Sequence, residues 1–91
     1  MKTEEMRNVA EVCGMLADPT RAAIVAILSK GVKPVKGLRR ELKLAQPITS
    51  HHLALLRMSG LVSRKRKGRE MHYSLNREVL TPVRKFLAGL K

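Results

Sequence analysis

Residues 45–61 read AQPITSHHLALLRMSGL and gather a carboxamide (Gln46), a hydroxyl (Ser50) and two imidazoles (His51, His52) within two helical turns. Adjacent helical positions diverge by about 100°. Ser50 and His51 therefore make no nucleophile–base pair, and His51 and His52 do not easily close on one metal ion. Spread over one face of a helix, such groups are suited to donating and accepting hydrogen bonds, the chemistry that reads nucleobase edges. The helix has clear limits. Pro47 fits only a first turn, where its missing N–H costs nothing, and Gly60 can adopt the left-handed conformation that ends a helix. Between them Thr49, Leu53 and Leu56 share one face, with Ile48, His52 and Leu55 at its edge. The opposite face carries Pro47, Ser50, His51, Ala54 and Arg57, and its small side chains allow close backbone approach to a partner.

The flanking elements must hold this helix. Pro34 opens a preceding helix whose inward positions are Val35, Leu38 and Leu42, so that Lys36, Arg39, Arg40 and Lys43 face outward. Residues 43–45 make a tight turn, with Leu44 directed at the core. After Gly60, Met71, Tyr73 and Leu75 alternate with Glu70, His72 and Ser74 as a half-buried strand, paired with residues 61–66 through a turn at Gly68. Two helices, a tight break and a hairpin in this order, residues 35–60 and 61–75, make a winged helix-turn-helix, whose second helix enters the major groove of DNA. The first helix of such a pair crosses the backbone, where cations meet phosphates. The hairpin carries Arg64, Lys65, Arg66, Lys67 and Arg69, five cations that repel one another until a phosphate track relieves them. An arginine at its tip could enter a narrow minor groove.

Outside this unit, Met6, Val9, Ala10, Cys13, Leu16 and Ala17 recur at helical spacing over residues 4–17. Asp18 is a good N-cap and Pro19 a good first residue for a second helix, residues 20–29, whose AAIVAIL core is apolar nearly all round and reads as the buried central helix. Asn76 can cap a short turn at residues 77–80. A last helix follows over residues 81–90, with Thr81 as cap, Pro82 in its first position and Val83, Phe86, Leu87 and Leu90 as its apolar stripe.

A chain of 91 residues is a single domain, mainly α with one small hairpin, and a domain so small has marginal stability unless a partner subunit helps. Only Tyr73 and Phe86 are aromatic, so the core is aliphatic and no base-stacking platform for single strands is available. The net charge of +12 is segregated. Residues 30–69 hold twelve Lys or Arg and one acid, Glu41, whereas residues 1–18 hold four acids and two bases. That placement favours an extended polyanion, nucleic acid well ahead of a membrane. A lone cysteine fits a reducing compartment, and with no apolar run of membrane-spanning length and no signal-peptide pattern the expected location is cytoplasmic. Seven acids, none paired for acid–base work, and no glycine-rich phosphate loop leave an enzyme without parts.

Three strings in register resemble one family. LADPTRAAIVAIL is similar to the opening signature of the ArsR/SmtB-type winged-helix repressors, LKLAQPITSHHLALLRMSGLV to their recognition-helix segment, and RKGREMHYSLN to their wing; together they cover residues 16–76. The resemblance implies a homodimeric transcriptional repressor that binds imperfect inverted repeats of double-stranded DNA and releases them on a signal, its first and last helices forming the interface. It places Gln46, Pro47, Ile48, Ser50, His51 and His52 in the groove, with Ile48 against a thymine methyl, and Arg69 in the wing. Lys36, Arg39, Arg40, Arg57, Arg64, Lys65 and Lys67 are the expected phosphate contacts. Met6, Val9, Cys13, Val83, Phe86, Leu87 and Leu90 are the expected dimer interface.

The departures concern sensing. Where many relatives carry paired cysteines this chain has Val32-Lys33-Pro34-Val35-Lys36, and where others carry Asp, His and Glu the last helix has Val83-Arg84-Lys85-Phe86-Leu87. No metal or other cofactor is therefore expected, and the effector is open between a small molecule, a partner protein, a thiol oxidant and none. Cys13 reads as a small core or interface residue, with a redox contact to its symmetry mate as the alternative. His52 is assigned a mixed role at the core edge, and His72 is a strand residue on the solvent or DNA side. Two other functions keep their place beside the repressor: an RNA-binding or ribosome-associated basic protein, and a winged-helix protein-interaction module.

Overall fold

A computed structural model describes residues 2–90; the two end residues of the expected 1–91 domain lie outside it. Helix α1 (Thr3–Leu16) begins with Glu4 and Glu5 in its first turn, where acids suit the positive end of the helix dipole. Helix α2 (Pro19–Leu28) begins as its sequence requires, with the Asp18 carboxylate accepting from the Arg21 N–H at 3.0 Å. It buries Ile24, Val25 and Leu28 but leaves Ala26 exposed, so this helix is central on one face only and not wrapped all round.

Two residues then form a strand that periodicity did not reveal. β1 (Lys33–Pro34) runs into helix α3 (Val35–Leu42), which ends on Lys43 in the left-handed region at φ 54°. Helix α4 (Gln46–Met58) follows after this turn. The hairpin consists of β2 (Val62–Lys67) and β3 (Glu70–Leu75), and β1 pairs antiparallel with the free edge of β3, giving a three-stranded sheet in the order β1-β3-β2 where a two-stranded hairpin was expected. Lys67 pairs with Glu70, so the turn is the two residues Gly68 and Arg69. Gly68, at φ 64°, supplies the left-handed first position that such a tight hairpin turn needs.

A 3₁₀ turn (Arg77–Leu80) leads into α5 (Thr81–Gly89), which packs against α1. Asn76 does not cap that turn. Its side chain donates to the Gly60 carbonyl at 2.7 Å and accepts from the Ser63 hydroxyl at 3.0 Å, tying the end of α4 to the foot of the wing.

One core gathers residues from every helix and from the wing: Val9 and Val12, Ile24 and Leu28, Leu38, Leu53 and Leu56, Leu61 and Val62, Tyr73, and Val83. Tyr73 is its one aromatic member; Phe86 packs at its margin. Among the described residues, no buried side-chain nitrogen or oxygen lacks a hydrogen-bond partner, and no helix is long and apolar enough to cross a membrane.

The start of α2 carries a pH-dependent element. The Arg21 N–H, above all, holds the Asp18 carboxyl below its ordinary value of 3.8, helped by the nearby His52 and Arg21 charges and opposed by partial desolvation. On acidification the unfolded chain therefore takes up this proton first. The stability that Asp18 contributes is complete above the ordinary carboxylate value and is lost as pH falls through the lower folded one. Asp18→Asn keeps a capping oxygen, so its stability near neutrality should stay close to that of the parent while its fall below pH 4 becomes shallower. Urea unfolding at a series of pH values checks this; parallel pH curves for the two proteins would contradict it.

Candidate nucleic-acid interface

The inner face of α4 determines what its outer face presents. Thr49, Leu53 and Leu56 are at most 1% exposed, and the Thr49 hydroxyl satisfies itself on the Ala45 carbonyl at 3.0 Å. With that face fixed, Gln46, Pro47, Ser50, His51 and Arg57 are exposed, Ile48 stands 48% exposed at the edge, and Ala54 is half-buried. Three buried anchors at helical spacing thus turn hydrogen-bonding groups outward at the N-terminal end, from which a recognition helix addresses bases.

His52 sits at the core edge, one half of its expected mixed role, and apart from the groove-facing set in which the resemblance places it. Its side chain is 14% exposed and turned toward the start of α2, with Nδ1 3.3 Å from an Arg21 guanidinium nitrogen and 3.9 Å from the Asp18 carboxylate. The Arg21 Nε also donates to the Met15 carbonyl at 2.8 Å, so one guanidinium joins the end of α1, the start of α2 and the middle of α4. The physical reason is rotational. One position beyond His51 lies about 100° round the helix, on the side facing α2, so His52 helps hold α4 in place and is turned from the face that carries Ser50 and His51. The role of Arg21 was not legible in its own neighbourhood, because its partner lies 31 residues away.

The cations expected to meet phosphates surround α4 on two sides. On α3, Lys36 and Arg40 are exposed and Arg39 is half-buried, and with Lys43 and Leu44 they line an open depression of about 480 Å³. Leu44 is therefore only partly tucked inward. A second hollow of about 280 Å³ is lined by Lys36 and Arg39 of α3, Gln46 of α4, and Arg69, Glu70 and Met71 of the wing. Its walls come from all three elements of the expected motif.

In the wing, Arg64 lies opposite Tyr73 and Arg66 opposite Met71, while Lys65 lies opposite His72 and Lys67 opposite Glu70. Side chains alternate along a strand, so Arg64 and Arg66 share one face of the ribbon and Lys65 and Lys67 the other. All of them are exposed, as is Arg69. The wing thus presents charge on both faces, a division that period-two alternation in VSRKRK already contains. His72 is half-buried beside the Glu70 carboxylate at 3.8 Å, on the Lys65 face.

The terminal helices also divide their residues differently from expectation. Val9 and Val83, assigned to a subunit interface, are already 5% and 7% exposed within one chain, because α1 and α5 pack on each other. Little of either is left for a partner. Met6 and Phe86 are half-buried, whereas Cys13, Leu87 (58% exposed) and Leu90 (59% exposed) remain open.

Comparison with known proteins agrees with this geometry. The family model for bacterial regulatory proteins of the arsR family matches residues 18–64, from the cap of α2 into the wing. The transcriptional repressor SdpR of Bacillus subtilis is 35% identical over 75 residues, covering 82% of this chain and 80% of its own length. The transcriptional repressor SmtB homolog of Synechocystis is 33% identical over 75 residues, and there the match spans 57% of the relative's length. The solved structure of HlyU from Vibrio cholerae superposes with a TM-score of 0.82 at 26% identity, covering 97% of this chain and 96% of that one. The chain belongs to the arsR family of bacterial regulatory proteins, DNA-binding regulators built on the winged helix-turn-helix.

Proposed function

We propose that this chain is a homodimeric repressor that recognises an inverted-repeat operator and acts by binding, without catalysis. Each subunit lays α4 in a major groove, with Gln46, Pro47, Ile48, Ser50 and His51 toward the bases. Lys36, Arg39, Arg40 and Arg57 meet the phosphates beside the helix, while Arg64, Lys65, Lys67 and Arg69 carry the contact along the wing. The observation that carries this reading is the hollow shared by α3, the start of α4 and the wing tip, where Lys36, Arg39 and Arg69 converge around Gln46. Cations from two separate elements, α3 and the wing, around one carboxamide of α4 suit a polyanion whose bases are to be read. The exposed Leu87 and Leu90, together with the half-buried Phe86 and Met6, are the apolar residues that a second subunit would cover.

Selection from a random duplex pool is expected to enrich an inverted repeat bound roughly a thousandfold or more above random duplex. Enrichment of nothing, with tight binding to structured RNA, would overturn the reading. Ser50→Ala or His51→Ala should lower operator affinity by about tenfold and leave random-duplex affinity nearly unchanged, because a base contact is worth ~1–3 kcal/mol. Replacing both Lys65 and Lys67 by Ala should weaken the two duplexes alike and reduce the slope of log affinity against log salt by about two per subunit. Equal losses of specificity in the two kinds of variant, measured by fluorescence anisotropy across salt, would contradict this division of roles. Leu87→Glu combined with Leu90→Glu touches exposed positions only, so the fold should persist while sedimentation shows monomers; an unchanged dimer would place the interface elsewhere.

A further inference from the structure

The turn between α3 and α4 is spanned by a single guanidinium. Arg39 Nε donates to the Leu44 carbonyl at 3.5 Å, and one terminal nitrogen donates to Gln46 Oε1 at 3.3 Å. The Lys43 and Leu44 N–H groups both turn back to the Arg39 carbonyl, so the residue holds the turn by its backbone as well as by its side chain. A guanidinium has donors only. Whatever part of the Gln46 carboxamide meets it must be the oxygen, which leaves no ambiguity about which end of the amide faces Arg39. The amide nitrogen, with its two N–H groups, is then the end left free at the exposed start of α4, on the rim of the hollow that Arg69 closes from the wing.

The geometry points to Arg39 as a positioning residue that makes Gln46 a hydrogen-bond donor toward DNA. This rests on the operator-reading role proposed above and assigns it a base preference. A glutamine that pairs with adenine in bidentate fashion needs both its oxygen, for the adenine N6 amino group, and its nitrogen, for N7. Arg39 takes up one lone pair of the oxygen and turns that end of the amide back toward α3, so the oxygen is poorly placed for the adenine N6 amino group while the nitrogen stays free. What remains matches an edge that only accepts: O6 and N7 of guanine, or O4 of thymine. The preferred contact of Gln46 is therefore a keto base. A second consequence concerns charge. Arg39 stands beside the groove as a cation, but its effect on which base is chosen is separate from its effect on phosphates, which is the same for every sequence.

The test uses the full-length protein and the duplex it enriches from a random pool. The position that Gln46 reads is the base pair at which Gln46→Ala loses its preference. There the parent protein should favour guanine or thymine over adenine. Arg39→Met, which keeps the unbranched apolar stem and removes the donors, should shrink that preference by about tenfold by admitting adenine, with circular dichroism unchanged. Arg40→Met, an exposed cation on the same helix, should weaken all duplexes alike and leave the ratio where it was. Preference for adenine in the parent, or a ratio unmoved by Arg39→Met while overall affinity falls, would overturn the assignment. If the parent enriches a duplex but Gln46→Ala alters no position, Gln46 reads no base and the assignment fails while the operator reading stands. If the parent enriches no duplex at all, both fail.

Discussion

The rotation of α4 about its own axis is the constraint on which the proposed DNA-facing surface depends. Thr49, Leu53 and Leu56 set it by filling the space against α2 and α3, around Ile24 and Leu38. Each leucine contributes about 1.5–3 kcal/mol by leaving water, so a turn of the helix by one position would expose both and bury Ser50 in their place. Arg21 adds a polar stop to the same rotation by holding His52 against the start of α2. The exposed face is therefore defined from behind. Ser50 and His51 are exposed there, the His51 ring standing edge-on to that of His52 with centroids 5.4 Å apart, and that exposure is what makes them available to a ligand.

Electrostatics supplies the second constraint. The hollow beside α4 brings Lys36, Arg39 and Arg69 together, with Glu70 the one acid on its wall. The Lys33–Glu41 pair at 3.6 Å joins β1 to α3, but both side chains are open to water and its contribution to stability is small. The basic elements are placed by apolar burial and by the sheet, and not by ion pairing. Arg64, Lys65, Arg66 and Lys67 sit on a ribbon rooted by Val62 and Tyr73, where like charges stay close because the root is held. A polyanion along either face of that ribbon would reduce their mutual repulsion.

Much of this was legible in the residues. Asp18-Pro19 marks the start of α2 because an acceptor and a residue without an N–H are what that position needs, and Gly68 marks the hairpin turn for an equally local reason. The inner face of α4 follows from a period of 3.6 in three side chains. What was hidden depends on partners distant in sequence. Two residues, Lys33 and Pro34, carry no period, and only the edge of β3 makes them a strand. Asn76 looks like a cap in its own neighbourhood, yet Gly60 and Ser63 take its side chain. Val9 and Val83 belong to apolar stripes that suit an interface equally well, until α1 and α5 are seen to bury them on each other. For the candidate site, the residue types and the outward face could be read directly. The diversion of His52 and the hold of Arg39 on Gln46 required the fold.

The open apolar residues at the end of the chain, Leu87 on α5 and Leu90 just after it, are not among the residues lining the hollow around Gln46. In the proposed reading, association of subunits and contact with DNA draw on different side chains. The most direct measurement is an amide chemical-shift titration of the full-length protein with a duplex enriched from a random pool. Large shifts at residues 46–51 of α4 and 64–69 of the wing, with smaller ones around Lys36, Arg39, Arg40 and Arg57, are the expected result. Shifts concentrated on α1 and α2, with Ser50, His51 and the wing tip unmoved, would contradict the claim that the outer face of α4 is the surface that meets DNA.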